Sequence, residues 1–586
     1  MNHGPHHSHD GHEHDHSHDH SHDHSDEQGS AGDDPALDLT VPDAELNPGQ
    51  LRRRGFLRGA GLLGAGLAAS SVLAGTPALA DEAVRGARRA RRAPRQGYAW
   101  LAGDHHIHTQ HSSDAQYRVA DQVQHASAYG LDWMVITDHG SVAHAKIGVD
   151  KVNPDIVAAR ERFGDETLVF QGLEWNIPAA EHGTVFVHPG RNEVAVLKEF
   201  ENAFDGVVNG ITASNAANET AALNGLDFLA ASVTQGRVKD AMFFANHPAR
   251  KGLDSPHEIR GWRERQPRIA LGMEGAPGHQ AAGIPTPFGP GSGRGFYDNS
   301  PTADSFAAYP LESYVTWGGF DWMTSTVGGL WDSLLAEGRP WWITANSDSH
   351  TVHLDDSIRP PGQDTADYFA ANGRYGDPVH GSTGPATANG DFWPGFYSRT
   401  HVGAVDFGYA AVMNGLRAGR VWVDHGSLVD SVDVRVRKSG SHDPGFPLGS
   451  VVPARRGQRY ELVIGIRTQS TPNWAQFVPA LAKVDVIRGS VTGPSADRDS
   501  MHASDTAVVK TFDVSGKSGL IQLRFDLGKL DHPCFVRLRG SDGRRSQTGL
   551  NGAQVDANGP AMDALGDADP WNDLWFYTNP IWVLPA

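Results

Sequence analysis

Asp104-His105-His106-Ile107-His108 decides how this chain is read, because packets of the same kind recur downstream. Thr137-Asp138-His139, Gly172-Leu173-Glu174, Asn246-His247-Pro248 and Ser347-Asp348-Ser349-His350 follow in order. Each later packet comes after a short apolar run: Trp133 to Ile136, Leu168 to Phe170, Met242 to Ala245, and Trp341 to Thr344. Runs of that length, bounded by polar or Gly/Pro signals, read as parallel strands buried on both faces. Ligand-type side chains delivered from several strand ends converge at the C-terminal mouth of an α/β barrel. That is an enzyme's layout, and it predicts a cluster of metal ions.

The spacing within the packets assigns roles. His106 and His108 are two apart at a strand end, so their side chains share a face. Asp104 has the same parity and is expected behind them, as the acceptor that fixes imidazole orientation. His105 has the opposite parity and is expected outside the cluster. Asp114 follows in a loop, while His139, Glu174 and His247 each end a strand, and Asp348 and His350 repeat the i, i+2 geometry. Such a His/Asp/Glu mixture suits Zn, Mn or Fe ions, and the lack of Cys ligands argues against a purely structural zinc site. A lone His is usually structural or solvated. Five strand ends that each carry a ligand-type residue point to chemistry.

From Tyr98 to about His425 strands alternate with helical stretches such as Val119 to Tyr129, which implies a mostly parallel α/β domain. Two insertions interrupt it: residues 191–237, helical near Val194–Phe200 and polar in the middle, and residues 275–318, a Gly/Pro/aromatic-rich loop of the kind that forms lids or collars. After Gly426 the period changes. Val432–Val436, Tyr460–Ile466, Lys483–Ile487, Leu520–Phe525 and Cys534–Leu538 read as short strands, several alternating with period two, of an antiparallel β-sandwich. The expected division is a barrel over 98–428 and a β-sandwich over 429–586, whose aromatic end, Asp569 to Tyr577, is suited to dock back onto the barrel. Cys534, the only cysteine, reads as a small buried hydrophobe.

The N-terminal segment reads as an address label. Residues 1–50 hold twelve acids and no Lys or Arg, and residues 1–26 alone hold eleven His. This composition builds no core. It is either a metal-gathering leader or a compositional run without function. Arg53-Arg54-Gly55-Phe56-Leu57-Arg58, the apolar run Gly61 to Ala74, and Ala78-Leu79-Ala80 form a twin-arginine export signal over 51–80 with cleavage expected after Ala80. The expected partner is the twin-arginine export machinery, and the expected location is periplasmic or secreted. The run is too short and too rich in Gly and Ala for a membrane span. Residues 81–97 read as a basic linker. Without the leader and signal, the formal charge falls from −19 to −11, an acidic body with no nucleic-acid surface.

The packets DxHxH, TDH, a strand ending in Glu, a later HP, and SDSH, all in this order, make the chain resemble the polymerase-and-histidinol-phosphatase (PHP) family of metal-dependent phosphoesterases. The resemblance covers about residues 98–428 and implies a distorted (β/α)7 barrel with two or three divalent metals. It implies that His106, His108, Glu174 and Asp348 hold one ion, and that Glu174 bridges to a second completed by His247 and one further His. Asp114, His139 and His350 would hold the third. The further His is either His182, which opens the strand Thr184–Val187 returning from Glu174, or His188, which closes it. A tight hairpin favours His182, whereas the strand-end rule for barrels favours His188.

Such a cluster would lower the pKa of a bridging water from about 15.7 towards about 7. The expected activity is hydrolysis of phosphate mono- or diesters of a small phosphorylated substrate. Arg250, with Lys251, is placed to orient phosphate, although an ordinary surface charge would look the same. Glu274 and His279 are candidates for substrate or ligand-supporting contacts. Two rivals remain. An amidohydrolase-type enzyme would cut C–N or lactone bonds, but commonly adds a carbamylated Lys where this chain has Glu174. A secreted metal-binding protein would hold ions without turnover.

Overall fold

A computed structural model describes residues 97–297, 300–381, 384–566 and 568–585. The leader, the export signal and nearly all of the basic linker lie outside these residues. Seven strands neighbour one another in chain order: β1 (Ala99–Asp104), β2 (Trp133–Ile136), β3 (Leu168–Asn176), β4 (His182–Val187), β5 (Ala241–Ala245), β6 (Ala270–Ala276) and β7 (Trp342–Ala345). Pairing is parallel from β1 to β3 and from β5 to β7. β4 runs against both of its neighbours. The reason is chain length. Only residues 177–181 join β3 to β4, and a parallel return needs a crossover of about a dozen residues or more. The circle closes just past the strand ends, where Ile107 bridges Ser349, the His108 N–H donates to Ser349 O at 3.1 Å, and the Asp348 N–H donates to His106 O at 2.9 Å.

The strands are apolar because both faces are covered. Trp133, Val135, Phe170, Phe186 and Phe243 belong to one core cluster, under helices such as Glu193–Phe204, Ala216–Thr234 and Pro256–Arg265. The helix Val119–Ala128 buries Val119, Val123 and Ala126, the spacing of one amphipathic face. Within 191–237, the stretch expected to be polar is the helix Ala216–Thr234. Its start is set by Asn215, whose side chain accepts from the N–H groups of Ala217 and Asn218. Among its described residues, the 275–318 insertion carries only short 3-10 turns after β6, the last of them Leu311–Tyr314. After β7 an excursion to residue 397 carries a two-residue ladder, β8 (Ser357–Ile358) with β9 (Val379–His380).

The remaining strands are β10 (Ser398–Ala404), β11 (Val421–His425), β12 (Val429–Lys438), β13 (Val451–Ala454), β14 (Arg459–Thr468), β15 (Lys483–Ser490), β16 (Ala507–Asp513), β17 (Leu520–Lys529), β18 (Cys534–Ser541), β19 (Trp575–Thr578) and β20 (Ile581–Pro585). β12, β14 and β17 form one antiparallel sheet. It buries alternate residues, in β14 Tyr460, Leu462, Ile464 and Ile466. These share a core with Val484, Val486, Val536 and Leu538 of the facing sheet, and Cys534 is buried in the same core. The facing sheet does not stop at the barrel. β19 pairs with both β18 and β11, β11 with β10, and β10 with β1. The change of pattern near residue 428 is therefore not a break in the sheet, and the aromatic C-terminal segment joins the barrel as a strand. Among the described residues no helix is long and apolar enough to cross a membrane.

Candidate metal centre

At the mouth of the barrel nine side chains from six separate chain segments come together. His106 Nε2 lies 2.9 Å from Glu174 Oε1 and 3.1 Å from Asp348 Oδ1. His108 Nε2 is 3.1 Å from the same Asp348 oxygen and 3.4 Å from Glu174 Oε2. His139 spans Glu174 Oε2 at 2.8 Å and Asp114 Oδ2 at 3.1 Å. His182 Nδ1 and His247 Nε2 both stand 3.3 Å from Glu174 Oε1. His350 Nε2 completes the set, 3.5 Å from Asp114 Oδ1 and 3.4 Å from His139 Nε2. Subsets such as His108/Asp114/His139/His350, His106/Glu174/His247 and His106/His108/Asp348 each offer atoms within 4.8 Å of one another.

The set fits divalent cations on its own chemistry. His108 Nε2, His182 Nδ1, Glu174 Oε2 and Asp348 Oδ1 are buried and, although they approach one another and the neighbouring rings at 2.8–3.4 Å, form no well-directed hydrogen bond. Polar atoms crowded together in this way at a buried site are costly unless something else satisfies them. They face a single cluster of imidazoles and carboxylates, the donor set of Zn, Mn or Fe. The backbone is also strained where ligands are delivered: His247 and Asp348 have φ of 31° and 48°, in the left-handed region that non-glycine residues rarely occupy.

The direction of β4 settles which histidine lies in the cluster. Because β4 is antiparallel, its first residue rather than its last is at the mouth. His182 stands there, with ring centroids 5.2 Å from His139 and 5.4 Å from His247. His188 closes β4 at the far end, where its Nδ1 lies 2.8 Å from Pro189 O and its ring faces Tyr409 at 6.1 Å. The strand-end rule that favoured His188 applies to parallel strands, and β4 inverts it.

Asp104 also departs from expectation. Its Oδ1 accepts from the His106 N–H at 2.9 Å and its Oδ2 from the Ser347 N–H at 2.9 Å. It stitches the two strand ends across the closing seam and touches no imidazole nitrogen. Burial, only partly offset by these donors, pushes its carboxyl up to about 7. The orienting partner of His106 is Glu274 on β6, with Oε1 2.8 Å from Nδ1. That of His108 is Ser112, 2.9 Å from Nδ1, whose hydroxyl donates to Asp138. His105 is outside the cluster, as its parity implies. It sits inside the barrel between Thr184 and Thr344, stacked on Phe244.

Arg250 stands at the edge of the cluster. Its Nη2 donates to Glu181 Oε1 at 2.7 Å, and the charges of Asp348 and Glu174 also act on it. Glu181 was not anticipated, because it lies in the short β3–β4 connection with no motif around it. Also unanticipated was Asp391. Its Oδ1 lies 2.5 Å from His279 Nδ1, its Oδ2 accepts from the His350 and Thr351 N–H groups, and His279 Nε2 reaches Asp348 Oδ2 at 2.8 Å. It comes from the excursion after β7, where nothing in the sequence announces a role.

The electrostatics follow from this crowding. Burial alone would lower the His106 pKa, but Asp348, Glu174 and Glu274 hold it well above the usual histidine value. His139 is raised in the same way by Glu174 and Asp114. Burial, with His350 and His139 beside it, drives His108 well below. Against burial, the surrounding imidazoles hold Glu174 and Asp348 well below the carboxylate range.

Residues 104–254, which run from the last residue of β1 to beyond β5 and include most of the ligand set, match the model of the PHP domain. No curated protein matches the chain. Among solved structures, one similar chain is a two-domain protein from Bacteroides vulgatus containing a predicted PHP-like metal-dependent phosphoesterase. It shows 14% identity over 80% of this chain and 96% of that one, at a TM-score of 0.29.

Proposed function

We propose that this chain, which carries a PHP domain, is an exported metal-dependent phosphoesterase that hydrolyses a phosphate mono- or diester. The observation that carries the reading is the convergence of six histidines on the buried Glu174 and Asp348 at the barrel mouth. His106, His108, Asp114, His139, Glu174, His182, His247, Asp348 and His350 would hold two or three Zn, Mn or Fe ions. When bound, such ions acidify a water and neutralise charge that develops on phosphate.

The chain's own residues do the rest. Arg250, fixed by Glu181, offers guanidinium N–H groups to phosphate oxygens at the edge of the cluster, and a planar fork suits that geometry. Glu274 holds the His106 ring, and Ser112 with Asp138 holds the His108 ring, so the ligand nitrogens are oriented before any ion arrives. Asp391 fixes His279 against Asp348 and ties down the backbone of His350. Glu174 stands at the centre, where an amidohydrolase-type site would commonly carry a modified lysine.

Export rests on Arg53-Arg54 with the apolar run and Ala78-Leu79-Ala80 behind it, which support a twin-arginine route to the periplasm or beyond. The deciding experiment is metal analysis of the purified protein, coupled to hydrolysis of matched phosphate monoesters, diesters, amides and lactones. The reading expects two or three equivalents of metal and turnover confined to phosphate esters. Turnover of amides or lactones alone, or bound metal with no turnover of any kind, would refute it.

A further inference from the structure

An aromatic side chain with no part in holding the ligands stands beside the cluster. Phe296, in the 275–318 insertion, is 37% exposed, and its ring centroid lies 4.9 Å from that of His279. His279 reaches Asp348 at 2.8 Å, and its ring is 5.4 Å from that of His350. A partly exposed phenyl ring thus stands one imidazole away from the ligands.

Its placement is specified from several sides. The backbone at Phe296 has φ of 53°, a conformation that bulky residues avoid and that persists only where the surroundings impose it. Gly390 makes room for the ring: a Cβ there would lie 2.4 Å from Phe296 Cζ and 2.7 Å from Cε2. The flanking turn is anchored, because the Gly295 N–H donates to His279 O at 3.1 Å and the buried Arg294 donates to Gln280 and Tyr397. A phenyl ring that keeps 37% of its surface in water beside the ligands, on a strained backbone, is available to a bound molecule.

With the cluster and Arg250 taking the phosphoryl end of an ester, Phe296 stands beside His279 and Asp348 where a leaving group can reach it. We propose that Phe296 is a stacking platform for a planar ring in the leaving group, so that aromatic phosphate esters are preferred over alkyl ones. This rests on the phosphoesterase reading and narrows its substrate class. Ring faces and edges attract at centroid separations of about 4.5–7 Å, and a rigid platform spends little conformational entropy on doing so.

The test is calorimetric binding of phenylphosphonate and methylphosphonate, neither of which is hydrolysed, to the metal-bound protein. The wild type should prefer the phenyl compound by about tenfold, the upper range for one aromatic contact. Phe296→Ala should shrink the preference to about twofold or less, with methylphosphonate affinity unchanged. Phe296→Leu, which keeps apolar bulk without a ring face, should retain only part of it. Absence of a preference in the wild type, equal weakening of both ligands in Phe296→Ala, or full retention in Phe296→Leu would each overturn the platform. Turnover on the ester panel is scored separately. A phenyl preference without turnover would defeat the phosphoesterase reading and leave ring recognition by Phe296 standing.

Discussion

Single atoms decide which histidines matter. Glu174 is approached by His106, His108, His139, His182 and His247 at 2.8–3.4 Å, so its loss would disrupt every part of the cluster. His106→Ala or Asp348→Ala should reduce phosphate-ester hydrolysis to background and lower bound metal while circular dichroism keeps its folded signature. Retained turnover on the ester panel would count against the centre. Glu274→Gln leaves the ligands in place but weakens the hold on the His106 ring. It should cost about 10–100-fold in metal affinity, the usual effect of an outer partner, read by competition with a chelator. His182→Ala should lower metal stoichiometry and His188→Ala should not, since the two lie at opposite ends of β4. Equal effects would mean that the orientation of β4 is not what sets the site.

Whole elements carry constraints that no ligand residue reveals. The helix Pro256–Arg265 starts with Ser255 and Glu258 capping each other, with Pro at the first position. Burial pushes the Glu258 carboxyl up to about 7 from an ordinary 4.5, although Ser255 hydrogen bonds pull the other way. A raised carboxyl binds its proton more tightly in the fold than in the unfolded chain. Its contribution is therefore complete below about 4.5 and is lost as pH rises through about 7. Glu258→Gln should flatten the fall in Tm between about pH 5 and pH 7.5, followed by thermal unfolding at a series of pH values. An unchanged slope would assign that fall to other groups. The antiparallel β4 is likewise an element-level fact, imposed by a connection too short for a crossover.

At the scale of the molecule, the barrel and the β-sandwich share one sheet through β11 and β19. Trp575, Tyr577 and Trp582 from the last two strands belong to the same core as Trp133 and Phe243. Buried pairs reinforce the join: Arg537 with Asp332 at 2.8 Å, and Arg294 within 3.8 Å of Asp563 and Asp573. A chain ending at residue 428 should therefore be insoluble or unfolded, with β11 left as an open edge and Arg294 and Asp332 deprived of their oppositely charged partners. The full chain should unfold in urea with barrel and sandwich probes coincident. A soluble, metal-binding 1–428 fragment would show that the shared sheet is dispensable.

The sequence by itself determined the strand ends, the ligand packets and the change from helical alternation to period-two strands. These are local: an apolar run followed by His, Asp or Glu carries its meaning within a few residues. Even the exclusion of His105 followed from parity alone. What only the tertiary structure decided depends on direction and on contacts between distant segments. His182 rather than His188 follows from β4 running backwards. The support of His106 falls to Glu274, 168 residues away, while Asp104 is taken up by backbone N–H groups at the closing seam. Asp391, Glu181 and Phe296 carry no motif, because what gives them a role is the surface they meet and not the residues beside them.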